Sequence, residues 1–224
     1  MDASDTREPK GGVRTSPRPD LRYADQPIPI RKARTRDLRE IAALYAPALE
    51  PYRGSGSDWI LDSYLVELVD VRPRFEQAEV FVADQDGRVV GTIAFYADVR
   101  LEGWSNLPAG WAGFRALAVL PRMHGAGIGN ALVRRCIDRT RDVGAPTLGI
   151  HTISLLTDAV RLYQRLGFAR CPEFDLRAAD IFPSDNADET VGLAFRRDVE
   201  PPSPPQHRIC AVAGDGAIPI RLRV

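Results

Sequence analysis

From residue 27 to residue 199 the apolar positions of this chain fall into two alternating rhythms. Leu38, Ile41, Leu44 and Tyr45 recur at helical spacing and predict a helix with Thr35 as its N-cap. Leu61, Leu65 and Leu68 predict a second helix over 58–69. Between them Arg53-Gly-Ser-Gly-Ser reads as a connection. Two β-rich runs follow, Glu79-Val-Phe-Val-Ala-Asp and Arg88-Val-Val-Gly-Thr-Ile-Ala-Phe-Tyr-Ala, joined by Gln85-Asp86-Gly87, which is a hairpin signature. After a loop over 98–112, a strand over 114–120 is stopped by Pro121, and a helical run starts near Asn130. Residues 147–152 read as a fifth strand. Ala159, Leu162, Tyr163 and Leu166 then share one face of a helix that Gly167 is placed to cap. Short strands at Phe168-Ala-Arg and 190–195 end the series. The order is β-α-α-β-β-β-α-β-α-β-β, an α/β (α+β) arrangement without internal repeat.

The ends differ from this body. Residues 1–26 are polar and carry Gly11, Gly12, Pro17 and Pro19, a composition expected to stay disordered. Residues 200–224 read as a Pro-rich linker, Pro201-Pro-Ser-Pro-Pro, and a C-terminal tail. The 224 residues therefore suit one domain over 27–199 with two tails. A net charge of +0 argues against a nucleic-acid surface as the main business. No apolar run is long enough to span a membrane, and no signal-peptide core is present. Cys136, Cys171 and Cys210 have neither metal-ligand spacing nor the even number of a disulfide framework. The expectation is a cytoplasmic protein with no bound metal.

The chemistry concentrates after the 114–120 strand, in Pro121-Arg-Met-His-Gly-Ala-Gly-Ile-Gly-Asn. A strand, a glycine-rich turn and a helix N-terminus form a seat for phosphate. The first N–H groups of the helix lack intrahelical partners, its dipole favours an anion, and glycines let a bulky ligand approach the main chain. A dinucleotide site would want G-x-G-x-x-G with an acidic residue about 20 positions on. Here Asn130 stands at the third glycine, and residues 144–152 hold no Asp or Glu.

The segment instead resembles the acyl-CoA-binding motif of the GNAT superfamily of N-acyltransferases, R/Q-x-x-G-x-G/A, as His124-Gly125-Ala126-Gly127-Ile128-Gly129. A second segment, Asp158-Ala-Val-Arg-Leu-Tyr-Gln-Arg-Leu-Gly-Phe168, resembles the A-x-x-L-Y-x-x-x-G-F unit that closes the same fold. The resemblance implies the GNAT acyltransferase fold, with a mixed, mostly antiparallel central sheet flanked by helices. It implies N-acetyl transfer from acetyl-CoA to a primary amine of a small molecule or peptide, by direct attack of the neutral amine on the thioester. Acetyl-CoA would be held by Leu117, Ala118 and Val119 along the strand and by Arg122, His124, Gly125, Ala126, Gly127, Ile128, Gly129 and Asn130 at the turn. A main-chain N–H near Val119 would face the oxyanion, and Tyr163 would protonate the leaving thiolate. A homodimer is compatible with this reading; nucleic-acid and membrane partners are not expected.

Three positions depart from the family pattern. Gly113 stands where many relatives carry a Glu that takes the amine proton, His124 replaces Arg or Gln, and Leu156 replaces an Asn. The proton acceptor is therefore open between Asp98, Glu102, Glu173 and Asp175, and a non-catalytic acyl-CoA binder is the competing reading. His151 is expected to be a structural histidine. The acceptor side is expected over 52–64, with Trp59 and Tyr64, and over the acidic stretch 175–188; aromatic and acidic walls would suit a cationic amine.

Overall fold

A computed structural model describes residues 28–54, 58–103, 105–177 and 191–200. The expected tails, the Gly-Ser connection at 55–57 and most of the acidic stretch lie outside the described residues. The elements are β1 (Ile30–Lys32), α1 (Leu38–Leu49), α2 (Asp58–Val69), α3 (Arg72–Gln77), β2 (Glu79–Gln85), β3 (Arg88–Tyr96), β4 (Ala112–Val119), α4 (Ile128–Asp142), β5 (Thr147–Ile153), α5 (Thr157–Arg165), β6 (Ala169–Arg170), β7 (Leu176–Arg177) and β8 (Val191–Asp198). One sheet runs β1-β2-β3-β4-β5-β8-β6, with β7 also on β8. Every pairing is antiparallel except β4 with β5.

Local chemistry explains most of the boundaries. The β2–β3 hairpin turns on Asp86 and Gly87, both at positive φ, and Gly87 N donates to Asp84 Oδ1 at 2.8 Å. At the start of α1, Asp37 and not Thr35 holds the chain: its carboxylate accepts from Arg34 N at 2.7 Å and from Arg31 Nη1 at 2.6 Å. Thr35 opens a short 3-10 turn that leads into the helix. The helix α3 was not expected, because Pro73 masks it; proline is tolerated there, in the first turn. A second unexpected 3-10 turn, Val99–Glu102, interrupts the long loop before β4.

Both faces of the sheet are covered, which is why β3 is buried along nearly its whole length. On one face α4 and α5 pack Ile128, Leu132, Val133, Cys136 and Tyr163 against Phe81, Ile93, Phe95 and Phe114. On the other, α1 and α2 pack Ile41, Leu44, Tyr45, Leu61 and Leu68 against Val80, Val82, Ala94 and Tyr96. Burial of this kind is worth roughly 1.5–3 kcal/mol per large side chain.

One irregularity positions the site. Ala116 has φ 57°, and the β3–β4 register slips there, so that Thr92 faces Ala118 while Ala94 faces Arg115. This bulge bends β4. Pairing of β4 with β5 is confined to Ala112 with Leu148 and Gly113 with Gly149. Beyond that point the two central strands part.

Candidate active site

The parting of β4 and β5 opens a cavity of about 1020 Å³. Its walls come from β4, from the glycine turn and the start of α4, from the end of β5, from α5, and from α1 and α2 on the far side. Leu117, Ala118, Val119, His124, Gly125, Gly127, Ile128, Gly129, Asn130 and Tyr163, all singled out from the sequence, line it together. Arg122 and Ala126 are exposed and are not among the lining residues. The cations that do line this end are Arg134, Arg161 and Arg165. Sequence reasoning missed them, since an arginine on a predicted helix is usually a solvated one. Arg134 also donates to Asn130 Oδ1 at 2.7 Å, so the guanidinium stands over the first turn of α4.

The glycine turn leaves a set of N–H groups that could hold an anion. Gly127 is the N-cap of α4 with φ 76°, a conformation in which other residues are strained, and no side chain caps the helix. The first bond of the helix runs from Ala131 N to Gly127 O at 3.0 Å. The N–H groups of Ile128, Gly129 and Asn130 therefore have no intrahelical acceptor. A Cβ added at Gly125 or Gly127 would meet nothing within 4 Å, so the space above the turn is open to a ligand.

His124 does something other than face that space with two nitrogens. Its Nε2 lies 3.2 Å from Val119 O, and since a carbonyl only accepts, Nε2 carries the proton and donates. The ring thereby pins the turn back onto the end of β4.

Tyr163 sits deep in the wall, with its ring edge-on to Phe114 at 5.6 Å and Phe195 at 6.2 Å and tilted against Phe168 at 5.8 Å. Burial pushes its phenol far above the usual range, so it keeps its proton through neutral and alkaline pH. At the mouth, Tyr52 donates to Asp158 Oδ2 at 3.3 Å and ties the chain after α1 to α5. His151 lines the cavity and donates from Nε2 to Phe174 O at 3.0 Å; burial lowers its pKa, which fits the structural role expected of it.

The four carboxylates considered as proton acceptors separate cleanly. Asp98 caps its 3-10 turn and is held by Arg100, which lowers its pKa to about 2. Asp175 is gripped by both terminal nitrogens of Arg170, each at 2.7 Å, and also accepts from Ala194 N at 2.8 Å. Arg170 lowers its pKa. Glu173 is exposed. Glu102 is buried, and burial raises its pKa to about 8.

At its other end the cavity is lined by Tyr45, Leu49, Tyr64, Leu68 and Arg115. Glu67 bridges Arg115 Nη2 at 2.5 Å and Arg74 Nη1 at 3.1 Å, joining α2, α3 and β4 beneath this wall. Trp59 packs beside Ile60 and Ile153 and is not a lining residue. The acidic wall expected at 175–188 is not formed by the described part of that stretch: Asp175 is bound to Arg170, and 178–188 lie outside the described residues.

Comparison with known proteins bears on the family and the fold. The amino-acid acetyltransferase of Mycobacterium tuberculosis is 30% identical over 165 residues, 74% of this chain and 81% of that protein. The mycothiol acetyltransferase of Cellulomonas flavigena is 29% identical over 136 residues; the match spans 59% of this chain but only 37% of the relative. Among solved structures, the ribosomal-protein-S18-alanine N-acetyltransferase of Escherichia coli superposes with a TM-score of 0.53 at 19% identity, over 76% of this chain and 93% of that one. A putative phosphinothricin N-acetyltransferase gives a TM-score of 0.56 at 17% identity, over 77% and 98%. These structures share the fold. The family model described as acetyltransferase (GNAT) family matches residues 38–168, from the start of α1 to the glycine-capped end of α5, and the chain belongs to that family.

Proposed function

We propose that this chain transfers an acetyl group from acetyl-CoA to a primary amine of a small molecule or peptide. The observation that carries the reading is the continuity of one cavity, from an uncapped helix N-terminus to an aromatic chamber on the far side of the sheet. The pyrophosphate of acetyl-CoA fits against the N–H groups of Ile128, Gly129 and Asn130, with Arg134, Arg161 and Arg165 as its counter-charges. The pantetheine arm fits along residues 117–119, where β4 has parted from β5 and its main chain is available for strand-like pairing. The thioester then lies at the bend of β4, with Tyr163 in the wall beside it.

The chemistry required of the protein is modest. A neutral amine attacks the carbonyl carbon, a main-chain N–H near Val119 stabilises the oxyanion, and the C–S bond breaks. The Tyr163 hydroxyl protonates the departing thiolate, a role that suits a phenol kept neutral by burial. The acceptor chamber, with Tyr45, Tyr64, Leu68 and Arg115, suits a compact amine with an apolar body. The test is release of free thiol from acetyl-CoA across amino acids, amino-acid amides, polyamines and N-terminal peptides. Amine-dependent release supports the reading. Acetyl-CoA binding without turnover across such a panel supports the competing one, a non-catalytic binder.

A further inference from the structure

Glu102 occupies a place that belongs to another residue. A Cβ built on Gly113 would lie 2.4 Å from Glu102 Oε1 and 2.8 Å from Val99 Cγ1. The carboxyl thus fills the space that a side chain at that strand position would take. The turn that brings it there is well fixed. Asp98 caps it through Arg100 N at 2.9 Å, Val99 N donates to Trp111 O at 2.9 Å, and Val99 is fully buried. Gly103, at φ 83°, ends the turn directly after Glu102.

This is a costly position for a carboxyl unless it has work to do. Glu102 is 8% exposed, and its Oε1 makes no hydrogen bond among the described residues. The titratable groups whose charge couples to it are Arg115 on β4, Glu67 and Tyr64 on α2, and Tyr96 on β3. On its own turn Asp98 and Arg100 are engaged with each other. Burial, reinforced by Glu67, outweighs the attraction of Arg115 and lifts the carboxyl to about 8, near the pH at which a proton acceptor works best. Arg115 and Tyr64 also line the cavity, which Glu102 itself does not, so the charge of Glu102 is coupled to that wall and not exposed in it.

We propose that Glu102 is the proton acceptor of the transfer, taking the proton of the attacking amine through one water across the wall of Arg115 and Tyr64. The proposal rests on the acetyltransferase reading given above. The amine nitrogen bonds to the thioester carbonyl carbon and the C–S bond breaks. The proton lost by nitrogen passes to the Glu102 carboxylate, and the thiolate takes the Tyr163 proton. Solvent then removes the proton from Glu102 and returns one to Tyr163, leaving acetylated amine and CoA thiol with no net change in protons.

The test follows kcat, KM and acetyl-CoA affinity from about pH 6 to about pH 10 for the full chain and for Glu102→Gln, Glu102→Asp and Gly113→Ala. The acceptors are two amines of different basicity from the thiol-release screen, so that a pH limb owned by the amine moves and one owned by the protein stays. In the wild type a limb near pH 8 is expected with both. Glu102→Gln should lower kcat by about 10²–10⁴-fold and abolish that limb, with acetyl-CoA affinity kept within about threefold. Glu102→Asp should restore part of the rate. Gly113→Ala pushes the carboxyl from its seat but also presses on Val99 Cγ1 at 2.8 Å and Gly149 O at 3.3 Å, so its kcat is read beside a thermal melt, and Glu102→Asp is the variant that keeps the test decisive should the glutamine variant not fold. A Glu102→Gln enzyme with kcat within about threefold and the limb intact overturns the proposal alone. A wild-type chain that binds no acetyl-CoA overturns the acetyltransferase reading, and Glu102 with it.

Discussion

Replacing Glu102 by glutamine should change how stability depends on pH, and the sign and size follow from where the side chain sits. The folded chain keeps a proton on Glu102 up to about pH 8, whereas an unfolded chain releases it near the ordinary 4.5. Between those values the folded state holds one more proton than the unfolded state, so raising the pH favours unfolding. At about 1.36 kcal/mol per pH unit, integration from about pH 5 to about pH 9 gives a loss on the order of 4 kcal/mol that is specific to Glu102. Glutamine cannot titrate and should remove it. The assay is urea denaturation of both proteins across that range, read as the difference in unfolding free energy at each pH. The difference cancels the other titrating groups. These include His151, lowered by burial, and Asp37, Asp84 and Asp175, each lowered by its arginine partner, whose contributions fade only in acid. The variant should gain on the wild type steadily as pH rises. A difference flat to within about 0.5 kcal/mol would mean that Glu102 is already ionised and hydrated in the folded state, and the argument from burial would fail.

Three further outcomes are expected. Gly91→Ala drives a Cβ to 2.9 Å from Ile128 Cγ2 and 3.2 Å from Leu132 Cδ1; it should cost about 1–3 kcal/mol and weaken acetyl-CoA binding, because Ile128 opens the helix at the anion seat. Calorimetry and denaturation together check it. Tyr163→Phe keeps the ring contacts with Phe114, Phe168 and Phe195, so it should leave acetyl-CoA affinity unchanged while kcat falls at least about tenfold. Asp175→Asn removes the negative charge opposite Arg170 and the Oδ2 that accepts from its Nη2; it should cost about 1–3 kcal/mol of stability but leave kcat within about threefold, which steady-state kinetics and thermal melts separate.

Much of this architecture is legible in the sequence where local chemistry decides it. Asp86-Gly87 dictates a hairpin turn, and the Ala159, Leu162, Tyr163 and Leu166 face of α5 can only lie against the sheet. The open helix start is equally local, because Gly125 and Gly127 lead into α4 with no capping side chain. What the sequence conceals is decided through space. Thr35 reads as a cap, yet Asp37 makes the bonds, since Arg31 and Arg34 converge on its carboxylate. The bulge at Ala116 puts an alanine at φ 57°, a conformation its sequence does not advertise, and that bulge bends β4 a few residues beyond its last pairing with β5 at Gly113. Arg134, Arg161 and Arg165 are indistinguishable from surface arginines until α4 and α5 are set side by side. Glu102 is the clearest case. Gly113 reads as a missing carboxylate, and only the fold shows a carboxyl from another turn in its place.

The central claim is that the cavity behind Gly127 holds acetyl-CoA, and the most direct measurement is titration calorimetry of the full chain with acetyl-CoA, CoA and NADH, beside a Gly127→Glu variant. At φ 76° with open space beyond its Cα, Gly127 can accept the longer side chain at a backbone cost of about 1–2 kcal/mol, and the new carboxylate would stand in the space proposed for the pyrophosphate. Micromolar binding of acetyl-CoA and CoA that disappears in a folded Gly127→Glu chain is the predicted result. Binding of NADH in place of acetyl-CoA, or acetyl-CoA binding that the glutamate leaves untouched, would contradict it.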